Sequence, residues 1–247
     1  MFCYPKPKQT RNKKELKTKY LQMRPGTLLR WHALKRTLKS EIKNNSTVLD
    51  IGSYDGFASG KLTEIYSNLN IILVDLDMSG LVKAKQKNLY AIYGSALNLP
   101  VGDSTVDVVL CLDLIEHIDD DSKVIEEISR VLRKDGRFIL TTPKENGVSF
   151  PLLDRKRTLE INKGWGHVRL GYSKNQIESL LHTHNLTSEK TSGYFNLLTR
   201  LTYPSVMTPK NFRSKFLIYK FIVSLEPYIK YGADEHIIIG GKRCQEF

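Results

Sequence analysis

Val48-Leu49-Asp50-Ile51-Gly52-Ser53-Tyr54-Asp55-Gly56 decides how the rest of the chain is read. An apolar run passes straight into a glycine turn, and helical spacing follows over residues 57–67, so the stretch reads as strand, tight turn and helix. Gly52 and Gly56 let backbone come close to a ligand and take torsions that side chains resist. Ligands of open α/β sheets bind outside the carboxyl ends of the strands, which is where this turn falls. About twenty residues on, Asp75 closes the apolar run Ile71-Ile72-Leu73-Val74. That is the separation at which a carboxylate meets the two hydroxyls of a ribose.

Outward from this turn, strands are expected at 47–52, 70–77, 89–95, 105–114 and 137–142. Helices fall between them at 57–67, 79–87 and 122–132. Such alternation predicts a parallel sheet with both faces covered. Upstream, Leu28, Trp31, Leu34, Leu38 and Ile42 recur at helical spacing behind Pro25. Beyond Pro143 the alternation loosens. Residues 145–171 read as loop with short turns, 173–184 as a helix capped by Ser173, and 187–194 as a weak strand. Residues 196–231 read as two helices parted around 204–209, and 236–240 as the final strand. The expected organisation is a basic arm and helix over 1–43, then one domain over 44–247 with a helical insertion at about 196–231.

Charge is segregated along the chain. Residues 1–43 hold 13 Lys and Arg against 2 Asp and Glu, residues 44–143 hold 9 against 15, and residues 144–230 hold 14 against 6. Basic flanks around an acidic middle suit a phosphate-bearing partner, and equally an ordinary solvated surface. Residues 1–20 lack apolar period and are expected to be a mobile arm. Cys3, Cys111 and Cys244 show no metal or redox spacing, and Cys111 sits in a strand pattern as a small buried hydrophobe. No apolar run approaches the ~18 residues of a membrane span, and residues 1–19 lack the apolar core of a secretory signal. A cytoplasmic setting is expected. A nicotinamide dehydrogenase is disfavoured, because Tyr54 and Phe57 occupy two of the three glycine positions of the dinucleotide fingerprint.

The order of blocks resembles the class I methyltransferases, type 11 (ubiquinone/menaquinone-methyltransferase-like) subgroup. The blocks are 48–56, Val74-Asp75, Gly94-Ser95-Ala96 with Leu99-Pro100, 107–117, and 128–132 through Gly136 to Pro143. His167-Val168-Arg169 also resembles a block of some members. The resemblance implies a Rossmann-like, doubly wound sheet of seven strands, mostly parallel with the last strand antiparallel, and helices on both faces. It implies S-adenosylmethionine as methyl donor. Asp50, Gly52 and Gly56 would frame its methionine end, Asp75 its ribose and Ser95 with Ala96 its adenine. Leu112 and Asp113 would stand beside the sulfonium and the acceptor.

Two residues depart from the family pattern. Tyr54 stands where relatives usually carry Gly, and a positive φ there would strain it by about 1–2 kcal/mol. Ser95 stands where many relatives place Asp on the adenine amino group.

Asp113-x-x-Glu116-His117 resembles the Glu-x-x-Glu-His of ubiquinone-type and small-RNA 2′-O-methyltransferases, where a divalent ion binds the acceptor. The same residues also read as plain structure, and no metal is assigned. His117 and His167 are the candidate bases or acceptor contacts. Arg169 reads either as a grip on an anionic acceptor or as a loop clasp.

The leading expectation is a methyltransferase for a small-molecule, lipid or glycan acceptor. The apolar and basic segment 196–231 would cap the acceptor pocket, and on its outer side make peripheral contact with an anionic membrane. A nucleic-acid acceptor is less favoured, because few aromatics interleave with the basic arm. A non-catalytic S-adenosylmethionine-binding module is the third reading.

Overall fold

The computed structural model describes residues 24–229 and 231–243. The expected basic arm over residues 1–20, with Cys3, and also Cys244, lie outside the described residues. Seven strands form one sheet: β1 (Thr47–Ile51), β2 (Asn70–Asp75), β3 (Tyr90–Tyr93), β4 (Val106–Leu112), β5 (Leu132–Pro143), β6 (Leu186–Tyr194) and β7 (Glu235–Lys242). Their order is β3-β2-β1-β4-β5-β7-β6. The pairs within β3-β2-β1-β4-β5 are parallel, and β7 runs antiparallel to both β5 and β6.

Alternation of side chains sorts the sheet into two cores. Val48, Leu73, Val108 and Leu110 face one way, Leu49, Val74, Val109 and Cys111 the other. The first core is covered by α1 (Pro25–Glu41), α2 (Phe57–Thr63) and α3 (Met78–Gln86). The second is covered by α4 (Asp121–Val131) and α6 (Lys174–Thr183). Helices on both faces of a mostly parallel sheet are the doubly wound arrangement expected above. Helix α1 packs into the same core through buried Leu28, Leu29, Leu34 and Leu38, so it is part of this unit and not an appendage to it.

Residues 145–171 correct the sequence expectation, because they contain α5 (Arg155–Gly164) and not only loop. Its sequence RKRTLEINKG is polar on nearly every face, so no apolar period announces it. Polar contacts hold it, with Ile161 packed against the first core. The Asp154 carboxylate accepts the Arg157 N–H at 2.7 Å, and buried Asn162 bridges the N–H and C=O of Val148 at 3.0 and 2.8 Å.

The insertion between β6 and β7 comprises α7 (Leu197–Thr202), a 3-10 turn over Tyr203–Val206, and α8 (Pro209–Ser224). A buried polar knot ties its two ends. Glu226 accepts from the Asn196 backbone N–H and side-chain amide, both at 2.8 Å, and from the Thr199 hydroxyl. Glu226→Ala leaves the buried Asn196 N–H without its acceptor, at about 1–3 kcal/mol, while the Asn196 amide and the Thr199 hydroxyl keep only their longer bonds to the Ile229 carbonyl and Asn196 Oδ1. Thermal unfolding should show a lowered midpoint, with the fold retained at low temperature.

Candidate active site

The carboxyl ends of β1, β2 and β4 and the start of β7 open into a cleft of about 1320 Å³. Gly52, at the end of β1, takes φ +66° and sends its N–H to the Val74 carbonyl at 2.9 Å. A Cβ there would lie 2.6 Å from the Leu114 side chain, so glycine is required for the turn to lie this close to it.

Tyr54 adopts φ +48°, a left-handed conformation. Its cost, about 1–2 kcal/mol, is offset around the ring. The Arg24 guanidinium lies 4.3 Å from the ring centre and the Lys83 ammonium 5.0 Å from it. Lys83 also donates to the phenol oxygen at 2.9 Å. The two cation–π contacts and the phenol hydrogen bond act against the strain. Gly80 makes the room, since a Cβ there would meet the Tyr54 backbone at 2.7 Å.

Asp75 closes β2 on the cleft wall. One carboxylate oxygen accepts the Tyr54 N–H at 2.6 Å and the other the Asp77 N–H at 2.7 Å. Each oxygen retains a lone pair, so the carboxylate is fixed in orientation and still able to accept two hydroxyls. Beside it, Ser95 and Ala96 line the cleft, and the Ser95 hydroxyl accepts the Leu97 N–H at 3.1 Å.

Asp50 and Gly56 do not line this cleft. Asp50 is buried beneath the turn, bonded by the Ser59 hydroxyl at 2.5 Å and pushed up to about 7 by burial. Gly56 starts α2 at φ +61°, where a Cβ would stand 2.3 Å from Leu73. Asp50 lines a smaller cavity beside the cleft, with Ser53, Asp55 and Phe57, and Gly56 packs against Leu73 and Leu89.

Asp113 follows β4 at φ +50° and is saturated with partners. Arg30 of α1 pairs with it, the Tyr194 hydroxyl lies 2.9 Å from both carboxylate oxygens, and the Thr141 hydroxyl donates to it. A carboxylate neutralised in this way is a poor ligand for a divalent ion, so the Asp-x-x-Glu-His set does not come together as one. The groups that do converge are Glu116, His117 and His167, with one oxygen or nitrogen of each inside 4.8 Å.

The two histidines meet edge to face, ring centres 4.7 Å apart. The Nδ1 of His117 lies 3.1 Å from the Gly166 carbonyl. A carbonyl only accepts, so Nδ1 carries the proton and Nε2 keeps its lone pair. Burial, with His117 alongside, holds His167 down to about 4. Glu116 is fully buried, and burial with nearby Asp113 pushes it up to about 8. One of its oxygens accepts from Thr142 at 3.1 Å, and Oε1 has no partner.

Arg169 resolves as a clasp. It lies outside the cleft, pairs with Asp121, and bonds the Ile118 and Asp119 carbonyls at 3.0 and 2.8 Å. It thereby fixes the loop that carries His167.

The far wall is aromatic: Trp165, Tyr194, Phe195, Tyr203 and Phe212. Arg30, Tyr194 and Glu235 also reach the cleft, and none was singled out from the sequence. The available signal was slight, an acid opening the apolar run of β7 and an arginine interrupting the apolar Leu28–Leu34 stripe.

Residues 49–140 match the family model described as a methyltransferase domain. A protein of Mycolicibacterium smegmatis named probable S-adenosylmethionine-dependent methyltransferase is 28% identical over 156 residues, 60% of this chain and 55% of its own. Residues 49–140 of this chain therefore resemble a methyltransferase domain, and the relatives that share them are named for S-adenosylmethionine-dependent methyl transfer.

Dimethylglycine N-methyltransferase of Parasynechococcus marenigrum is 29% identical over 152 residues, 55% of this chain and 54% of its own. Among solved structures, the domain resembles phosphoethanolamine N-methyltransferase 2 of Haemonchus contortus, in complex with phosphomonomethylethanolamine and S-adenosylhomocysteine. The TM-score is 0.63 at 19% identity, covering 87% of this chain and 53% of that one, and this likeness speaks to fold alone. The chain spans 55%, 46% and 37% of the lengths of three curated relatives it matches.

S-adenosylmethionine is the cofactor of this domain family, and the residues present fit it. Gly52 leaves open backbone at the turn, Asp75 keeps two lone pairs, and Ser95, Ala96 and Leu112 line the same wall. We propose Asp75 as the charge-assisted acceptor for ribose; on that assignment, calorimetry of Asp75→Ala should find S-adenosylmethionine affinity weakened by about 1.5–3 kcal/mol. Unchanged affinity in a folded variant would remove Asp75 from the site.

Proposed function

We propose that the chain transfers a methyl group from S-adenosylmethionine to a small-molecule acceptor held in the aromatic half of the cleft. The observation that carries this reading is one continuous cleft. Gly52, Asp75 and Ala96 line one end of it, and His117, His167 and the aromatic wall line the other. Bound S-adenosylmethionine supplies a methyl group on a cationic sulfur that leaves as a neutral thioether.

The chain's own contribution is alignment and exclusion of water. Gly52, Asp75, Ser95 and Leu112 hold the donor, with Asp50 and Gly56 shaping the turn. Phe195, Tyr203 and Phe212 shield the acceptor side. His117 Nε2, its tautomer set by the Gly166 carbonyl, takes the acceptor's proton, and His167 packs against it edge to face. General-base catalysis of this kind contributes about 10²–10⁴-fold. His117→Ala is therefore expected to lower labelled methyl transfer into small molecules of a cell extract by that factor. S-adenosylmethionine affinity should stay near wild type. Full transfer by the variant would return His117 to a structural role.

A lipid acceptor drawn from an anionic surface is the finer reading, and helix α8 motivates it. Phe212, Tyr219 and Val223 turn inward and are buried. Leu217, Ile218 and Phe221 face outward at 78%, 66% and 66% exposure. The helix carries Lys210, Arg213, Lys215 and Lys220 and no acid. An apolar outer face among cations fits the boundary of an anionic bilayer. The same helix lines the cleft through Phe212 and Arg213. Among the described residues no helix is long and apolar enough to cross a membrane, so the contact would be peripheral. Cosedimentation with phosphatidylglycerol vesicles should be strong at low salt, weaken as salt rises, and fall with the pair Leu217→Ser and Phe221→Ser. No sedimentation at low salt would exclude this contact.

A further inference from the structure

We infer that the methyl acceptor is a primary or secondary amine, received as its ammonium between Glu116 and Glu235. This rests on the methyltransferase reading and names the acceptor class for the same cleft. The two carboxylates stand on either side of the end of β5. Thr142 holds one oxygen of Glu116, and Glu235 opens β7 opposite Pro143 on one side and Tyr194 on the other. Both line the cleft, and both are buried, at 0% and 6% exposure.

Glu116 Oε1 and Glu235 Oε2 are buried without hydrogen-bond partners. Neither acid belongs to an ion pair among the described residues; Arg30, the guanidinium that reaches this floor, turns Nη2 to Asp113, and its Nε, also buried without a partner, bonds neither acid. An unpaired buried acceptor costs about 1–3 kcal/mol, and more where it is charged. Burial accordingly pushes both acids up, toward the protonated form. Two carboxylate oxygens on the floor therefore have no donor within hydrogen-bonding distance.

The number of donors distinguishes the candidate ligands. An alcohol brings one O–H and satisfies one carboxylate, leaving the other unpaired. A protonated primary or secondary amine brings at least two N–H donors and a positive charge, and so satisfies both. The aromatic wall acts in the same direction, because the faces of Trp165, Tyr194, Tyr203 and Phe212 attract a cation. Asp113 adds no competing demand, being filled by Arg30, Tyr194 and Thr141.

Transfer from such an acceptor balances simply. The ammonium gives one proton to His117 Nε2 and exposes its lone pair. The N–C bond forms as the C–S bond breaks, and the bonding pair leaves on sulfur as a neutral thioether. The remaining N–H stays with a carboxylate.

The test uses 2-phenylethylammonium and 2-phenylethanol, a matched pair that differs at the polar end. Both are titrated calorimetrically into the full chain with S-adenosylhomocysteine and EDTA present. The ammonium is expected to bind at least tenfold more tightly, and Glu235→Gln or Glu116→Gln should erase most of that difference. Equal affinities for wild type, absence of ammonium binding, or a preference that survives both substitutions would overturn the assignment. A preference seen only in EDTA, and abolished by added Mg²⁺ or Mn²⁺, would also overturn it, by giving the acids to a metal ion. The wild-type comparison stands even if a variant fails to fold. An ammonium preference without any methyl transfer to extract would leave this site intact and sink the methyltransferase reading alone.

Discussion

The carboxylate of Asp113 holds the two halves of this molecule together. It sits at the end of β4 in a left-handed conformation, and it gathers an arginine from the first helix, a hydroxyl from β5 and a phenol from β6. Those three elements share no sequence neighbourhood and no direct strand pairing with β4 except for β5. One charge, fully matched, therefore ties these three elements together on the wall of the cleft. Without a match, a carboxylate at this depth would be expensive to bury. With it, the same carboxylate aligns Tyr194 and Arg30 along the wall.

Around that centre, a division of labour follows from the strand order. The parallel strands β3-β2-β1-β4 present their carboxyl ends to the donor side, as open α/β sheets generally do. The antiparallel β7 breaks the pattern. It brings its first residue, not its last, to the same edge, which is how Glu235 comes to lie beside the end of β5. The insertion that precedes β7 then folds back over the opening, secured by the Asn196–Glu226–Thr199 knot.

The parts of the molecule that were legible in the sequence are those whose cause is local. Apolar strands, the glycine turn and the carboxylate at the end of β2 each declare themselves within a few residues. The positive φ of Tyr54 stood in the sequence only as a condition, raised by the glycine that the resembled family carries there. Helix α5 could not be seen, because its stability resides in the Asp154 cap and the Asn162 bridge and not in a periodic apolar face. Asp50 and Gly56 were recognisable as parts of the turn, but which side of it they face is decided by Ser59, Leu73 and Leu89. Arg169 was ambiguous for the same kind of reason, since a guanidinium declares its partner only when Asp121 and two carbonyls close around it. Arg30 and Glu235 acquire meaning from residues far away in the chain, and no local pattern could have announced them.

The place of β7 also governs the order in which the molecule can be assembled. In the sheet, β6 pairs with β7 alone, and β7 fills the gap between β6 and β5. Strand β6 is made first but has no edge to join until β7 arrives. As the chain emerges during synthesis, β1 to β5 can already pair, with Gly52, Asp75 and Ala96 in place. Tyr194, Glu235 and the intervening helices wait for the last strand. A nascent chain thus completes the Gly52, Asp75 and Ala96 end of the cleft well before it possesses a second wall, and loss of β7 releases β6 along with it.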